Sequence, residues 1–82
     1  MARVNWRDRI VSDPEILGGE SCIKGTRIPI TVVIDNLANG VTSSELIDDF
    51  PSLTREDIIA ILEFASELIH AEVESALRDI EK

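Results

Sequence analysis

The chain has little of what usually marks a chemical site. Among 82 residues there is one cysteine, one histidine, one methionine, one tryptophan and no tyrosine. A single Cys22 cannot close an intrachain disulfide, which excludes the disulfide-stapled secreted scaffolds and fits a reducing compartment. No apolar run approaches the roughly 20 residues that cross a bilayer, and the N-terminus lacks the apolar segment of a signal peptide. The expectation is a soluble, cytoplasmic protein with no membrane association. With one Trp and two Phe, packing falls to Ile, Leu and Val. A core of this size is marginal alone and gains from a second chain.

The same scarcity argues against catalysis. Cys22 and His70 have no clustered carboxylates around them at ligand spacing, so no metal site is expected. Asp48-Asp49 and Glu56-Asp57 are helix neighbours that do not face one another. Lys24-Gly25-Thr26 reverses the order that a phosphate-binding loop requires. With no nucleophile–base pair in view, the expectation is a non-enzyme without cofactor or small-molecule ligand.

Basic side chains are also few, 8 against 16 acidic, for a net charge of −8. They are unevenly placed. Residues 1–27 hold five basic and four acidic side chains, whereas residues 28–82 hold three and twelve. An acidic body repels nucleic acid, so any DNA contact is expected from Arg3, Arg7, Arg9, Lys24 and Arg27, with Arg55 as the one basic residue at the start of a helix.

What is present is a glycine-rich pivot followed by helical periodicity. Ile10-Val11 and the stretch from Ser21 to Lys24, which reads as alternating polar and apolar, predict a short antiparallel ribbon bent at Gly18-Gly19. Gly25, Thr26 and Arg27 are read as structural, with Arg27 tying the ribbon to a helix carboxylate. Pro29 suits a helix entry because its missing N–H is not needed there. A first helix is expected over residues 30–39, with Val33, Ile34, Leu37 and Ala38 inward and Asn39-Gly40 as its stop. Thr42 and Glu45 have capping-box spacing for a second helix that buries Leu46, Ile47 and Phe50 and ends at Pro51. Thr54 caps a third.

That third helix is long. Ile58, Leu62, Ala65, Ile69, Val73, Ala76 and Ile80 recur at steps of three and four, widened by Ile61, Leu68 and Leu77, with no Gly or Pro before the end of the chain. From Thr54 it would span on the order of 40 Å, against roughly 25 Å for a domain of this size. Its far turns therefore lack enough of their own chain to pack against. A second copy or another protein is expected on Leu62, Ala65, Ile69, Val73, Ala76, Leu77 and Ile80. The fold expected is mainly α: one domain over residues 1–82, with an arm and ribbon over 1–29 and a three-helix, homeodomain-like or helix-turn-helix-like bundle over 30–82.

The segment Gly18-Gly19, Ile23, Gly25-Thr26-Arg27-Ile28-Pro29, continued by Leu37-Ala38-Asn39-Gly40 and by Phe50-Pro51-Ser52-Leu53-Thr54-Arg55-Glu56-Asp57-Ile58, resembles domain-of-unknown-function family 433. The likeness covers roughly residues 10–70. The resemblance implies a small helix-turn-helix-like protein of the kind described as antitoxins, many encoded beside a toxin resembling the PIN-type ribonucleases. The function expected on that basis is neutralisation of a PIN-like toxin by binding, with repression of the shared promoter. A stand-alone DNA-binding regulator and a structural or adaptor homodimer remain the alternatives.

Overall fold

A computed structural model describes residues 4–80, with side chains as far as Arg78. After a 3-10 turn at Trp6–Asp8, strand β1 (Ile10–Val11) pairs antiparallel with β2 (Cys22–Ile23), with Ile10 opposite Ile23 and Val11 opposite Cys22. Three helices follow: α1 (Ile30–Ala38), α2 (Ser43–Asp49) and α3 (Arg55–Ile80). This is the mainly helical fold with an N-terminal ribbon that the hydrophobic pattern predicts.

The ribbon bends where expected. Leu17, Gly18 and Gly19 have φ of 51°, 64° and 90°, a left-handed run that glycine enters without steric cost. The Ser12 hydroxyl donates to the Gly19 carbonyl and closes the loop. On the other side of β2, Gly25 turns the chain at φ 81°. The Thr26 hydroxyl donates to the Ile23 carbonyl (2.8 Å) and accepts the Ile28 N–H (3.1 Å). Pro29 forms an isolated bridge with Cys22 and, with extended backbone, stands one residue before α1 as its N-cap.

Alternation along β2 does not hold: neighbouring Cys22 and Ile23 are 0% and 2% exposed. Ile23 joins the main core, while Cys22 is covered by the returning segment at Thr26 and Pro29. Both faces of the strand are therefore closed. Cys22 packs as the small hydrophobe its position suggests.

Helices α1 and α2 stop and start on local chemistry. Gly40 (φ 88°) lets the Val41 N–H turn back to the Asn36 carbonyl, a left-handed C-terminal cap. The Thr42 hydroxyl accepts the Glu45 N–H at 3.1 Å and the Glu45 carboxylate accepts the Thr42 N–H at 3.4 Å, completing the capping box. Helices α1, α2 and the first two turns of α3 enclose Ile30, Val33, Leu46, Leu53, Ile58, Ala60 and Ile61, together with Ile10 and Ile23. Of the expected inward faces, Ile34, Leu37, Ile47 and Phe50 are half-buried, whereas Ala38 is exposed.

The apolar stripe of α3 is corrected by the structure. It is not one face. Ile58 and Ile61 are buried, but Leu62 is 51% exposed even alongside the folded body. Beyond residue 65 every side chain through Arg78 is exposed. The molecule measures 49 × 30 × 29 Å, the long dimension reflecting this overhang. No helix among the described residues is long and apolar enough to cross a membrane.

Each of α2 and α3 has a capped threonine start, but only that of α3 is braced by a distant side chain, as described below. Thr54→Ala is therefore expected to cost about 1–2 kcal/mol and Thr42→Ala about 0.5–1 kcal/mol. Urea unfolding of the two variants checks the order.

Candidate functional site

Asp57 occupies the third position of α3 and does three things there. Its Oδ2 accepts the Thr54 N–H at 3.0 Å, and the Thr54 hydroxyl accepts the Asp57 N–H at 3.1 Å, a capping box built with aspartate. Its Oδ1 accepts from Arg9 Nη1 at 3.1 Å. The carboxylate side chain is 8% exposed and that of Arg9 38%, so the pair sits at the mouth of the core. Arg9 follows the 3-10 turn and leads into β1. This bond therefore ties the N-terminal arm and ribbon to the start of α3.

That tie corrects one expectation. Arg9, not Arg27, links the ribbon to a helix carboxylate; Arg27 is exposed and has no ion pair among the described residues. Asp57, in the first turn of α3, is buried. The spacing Thr54-x-x-Asp57 was the available signal, because a short aspartate closes the box as glutamate does. Nothing local to Arg9 marks its partner, which lies 48 residues away.

A second set of contacts runs farther along α3. The Trp6 ring meets that of Phe64, with centroids 4.6 Å apart at 43°. The Arg7 guanidinium lies 4.4 Å from the Trp6 ring centre and reaches Glu67 at 3.4 Å. Trp6 Nε1 is buried without a hydrogen-bond partner. The arm is thus held by an aromatic contact and a screened surface ion pair, the latter worth about 0.2–1 kcal/mol.

These contacts engage two of the cations expected to meet DNA. Arg7 and Arg9 are each turned onto a carboxylate of α3. Lys24, Arg27 and Arg55 are exposed, and Arg3 lies outside the described residues. A cleft of about 310 Å³ between the arm and the helix start is lined by Asp8, Arg9, Lys24 and Asp57. Two cations there face two carboxylates, which leaves no net positive field for an anion.

Outside the core, Leu62, Leu68, Ile69, Val73 and Leu77 are 51–62% exposed. Ala65 is half-buried and Ala76 exposed; the side chain of Ile80 lies outside the described residues. The carboxylates between them are partly engaged, Glu67 with Arg7 and Glu74 with Arg78 at 3.6 Å. His70 is exposed and far from Cys22 in the sequence. Its Nδ1 lies 2.9 Å from the Ser66 carbonyl oxygen and 3.3 Å from the Ser66 hydroxyl. A carbonyl oxygen only accepts, so the shorter contact is a hydrogen bond in the tautomer that carries its proton on Nδ1.

The two arginines separate in their consequences. Arg9→Ala leaves a buried carboxylate without its cation and is expected to destabilise the chain by about 1–3 kcal/mol. Arg27→Ala should change stability by less than about 0.5 kcal/mol. Denaturant midpoints for the two variants distinguish them, and equal losses would remove Arg9 from its place as the tie.

A solved structure of a DUF433 member protein from Anabaena variabilis superposes with a TM-score of 0.70 at 28% identity, over 93% of this chain and 71% of that one. The "Uncharacterized protein y4eO" of Sinorhizobium fredii (strain NBRC 101917 / NGR234) is 36% identical over 52 residues, which is 63% of this chain and 24% of that protein. The matched region therefore spans about a quarter of the length of that relative. The family model described as "Protein of unknown function (DUF433)" matches residues 10–65, from the first residue of β1 to the point where α3 leaves the body. Ribbon, helical body and the start of α3 with Asp57 fall inside that match, Arg9 standing one residue before it, and the chain belongs to the DUF433 family.

Proposed function

We propose that this protein is a non-catalytic antitoxin that acts in the cytoplasm by binding and occluding a PIN-like ribonuclease toxin. The observation that supports this reading is the overhang of α3, where large apolar side chains stand 51–62% exposed among carboxylates. A ribonuclease presents a positive groove to its RNA. An amphipathic acidic helix laid in such a groove contributes apolar contact through Leu68 and Leu77, and its carboxylates occupy sites that phosphates would use. Neutralisation by this route requires no chemistry from the antitoxin. The family resemblance supplies the toxin class, and the helix geometry supplies the means of contact.

The experiment is co-expression with the product of the adjacent reading frame. The full chain should restore growth and co-purify with that product. A chain ending at Ala71 should keep its helical body and lose both effects. Rescue by the shortened chain would refute docking through the overhang.

Repression of the shared promoter is the second activity in this reading, favoured by the short connection between α2 and α3 and by the exposed Lys24, Arg27 and Arg55. With Arg7 and Arg9 held by carboxylates, DNA affinity should be low and fall steeply with salt. Replacing Lys24 and Arg27 together by alanine should weaken binding to every sequence alike in a salt titration. Loss of binding to one specific site on Arg55→Ala alone would instead identify α3 as a groove reader.

A further inference from the structure

Helix α3 has two apolar faces, and only one is used by its own fold. Asp57, Ile58, Ala60, Ile61 and Phe64 turn toward the body. Ile59, Leu62, Ser66, Ile69, Val73 and Ala76 lie on a line rotated from them by roughly 140°, at about 100° per residue. On that second line Ile59 is half-buried and the other five are exposed. It begins beside the folded body and runs on into the overhang, so it is not a by-product of the helix being long.

From these observations we infer that α3 pairs with α3 of a second copy, parallel and in register, along this second face. The steps between the six residues are three, four, three, four and three, the 3.5-residue repeat that keeps a seam facing a like helix. Ile59, Ser66 and Val73 fall at one core position of the repeat, Leu62, Ile69 and Ala76 at the other. Ile59 and Val73 at the first position with Leu62 at the second follow the pattern of β-branched residues and leucine that favours two parallel strands.

The rims of the seam carry Ala65 and Glu72 on one side and Glu63, His70 and Leu77 on the other. A parallel partner sets Ala65 against His70 and Glu72 against Leu77, with no like charges opposed. The carboxylates paired within the chain, Glu67 and Glu74, lie off the seam. A nearly uncharged face of this pattern matches itself better than it matches a basic groove. The exposed face of α3 that a helix-turn-helix reader would place in the major groove is thereby the seam. Leu68, Glu67 and Glu74 stay outward, so the pairing shares only Leu77, on its rim, with the toxin reading.

The test uses the purified full chain with no other protein present, so its outcome is independent of any toxin. Light scattering at micromolar concentration should give twice the 9.1 kDa chain mass. Ile69→Glu should give the single-chain mass with an unchanged helical circular dichroism spectrum, since Ile69 is 62% exposed in one chain. Without reductant, Ser66→Cys should form a disulfide-linked dimer on a non-reducing gel. Ala71→Cys, on the outer side of the pair, should not, and neither should the parent chain, whose only thiol is buried. A monomeric parent chain would overturn the inference. So would a dimer in which Ile59→Cys cross-links when mixed with Ala76→Cys, residues that a parallel pair holds far apart and an antiparallel pair brings together.

Discussion

One buried carboxylate organises the junction on which the rest of this fold leans. Asp57 caps α3 through the Thr54 N–H and holds Arg9 with its other oxygen. A carboxylate so far from water is sustained only when its lone pairs are met. Here the helix start meets one side and the arm the other. The ribbon is anchored in turn, because Arg9 directly precedes β1 and its carbonyl accepts the Lys24 N–H at 2.8 Å. Helix start, arm and ribbon thus share one electrostatic fixture, and the core closes around it.

Much of this was legible in the sequence, and the illegible part has a physical cause. Turns and caps are local, so Gly18-Gly19, Asn39-Gly40, the Thr42–Glu45 box and Thr54 announce themselves within four residues. The pairing of Ile10-Val11 with Cys22-Ile23 follows from two short apolar pieces flanking a glycine bend. Arg9 with Asp57 and Trp6 with Phe64 could not be read that way, since each joins residues about fifty or more positions apart and neither partner constrains the other's neighbours. The α3 stripe misled for a different reason. Helical periodicity identifies apolar residues three and four apart, but a helix with two apolar faces satisfies the same spacing twice. Only burial separates Ile61 at 0% from Leu62 at 51%.

The arrangement of α2, turn and α3 has the proportions of a DNA-reading unit, yet its surface chemistry is different. The outward side of α3 near its start carries Arg55 beside Glu56, then Ile59, Leu62 and Glu63. Base readers project donors and cations from that side; this one projects apolar bulk and acid. Arg7 and Arg9 are held by carboxylates of α3. A shared architecture with groove-binding proteins therefore carries little weight here beside the identity of the side chains mounted on it.

Trp6 gives the molecule an optical property that follows from its placement. It is the only tryptophan, and there is no tyrosine, so nearly all ultraviolet emission of the chain originates from one indole. That indole is clasped between Phe64 and the Arg7 guanidinium at the junction of arm and helix. Its spectrum is consequently a local gauge rather than an average over the fold. It registers whether the arm lies against α3, while events at the α1–α2 connection or at the far end of α3 leave it dark.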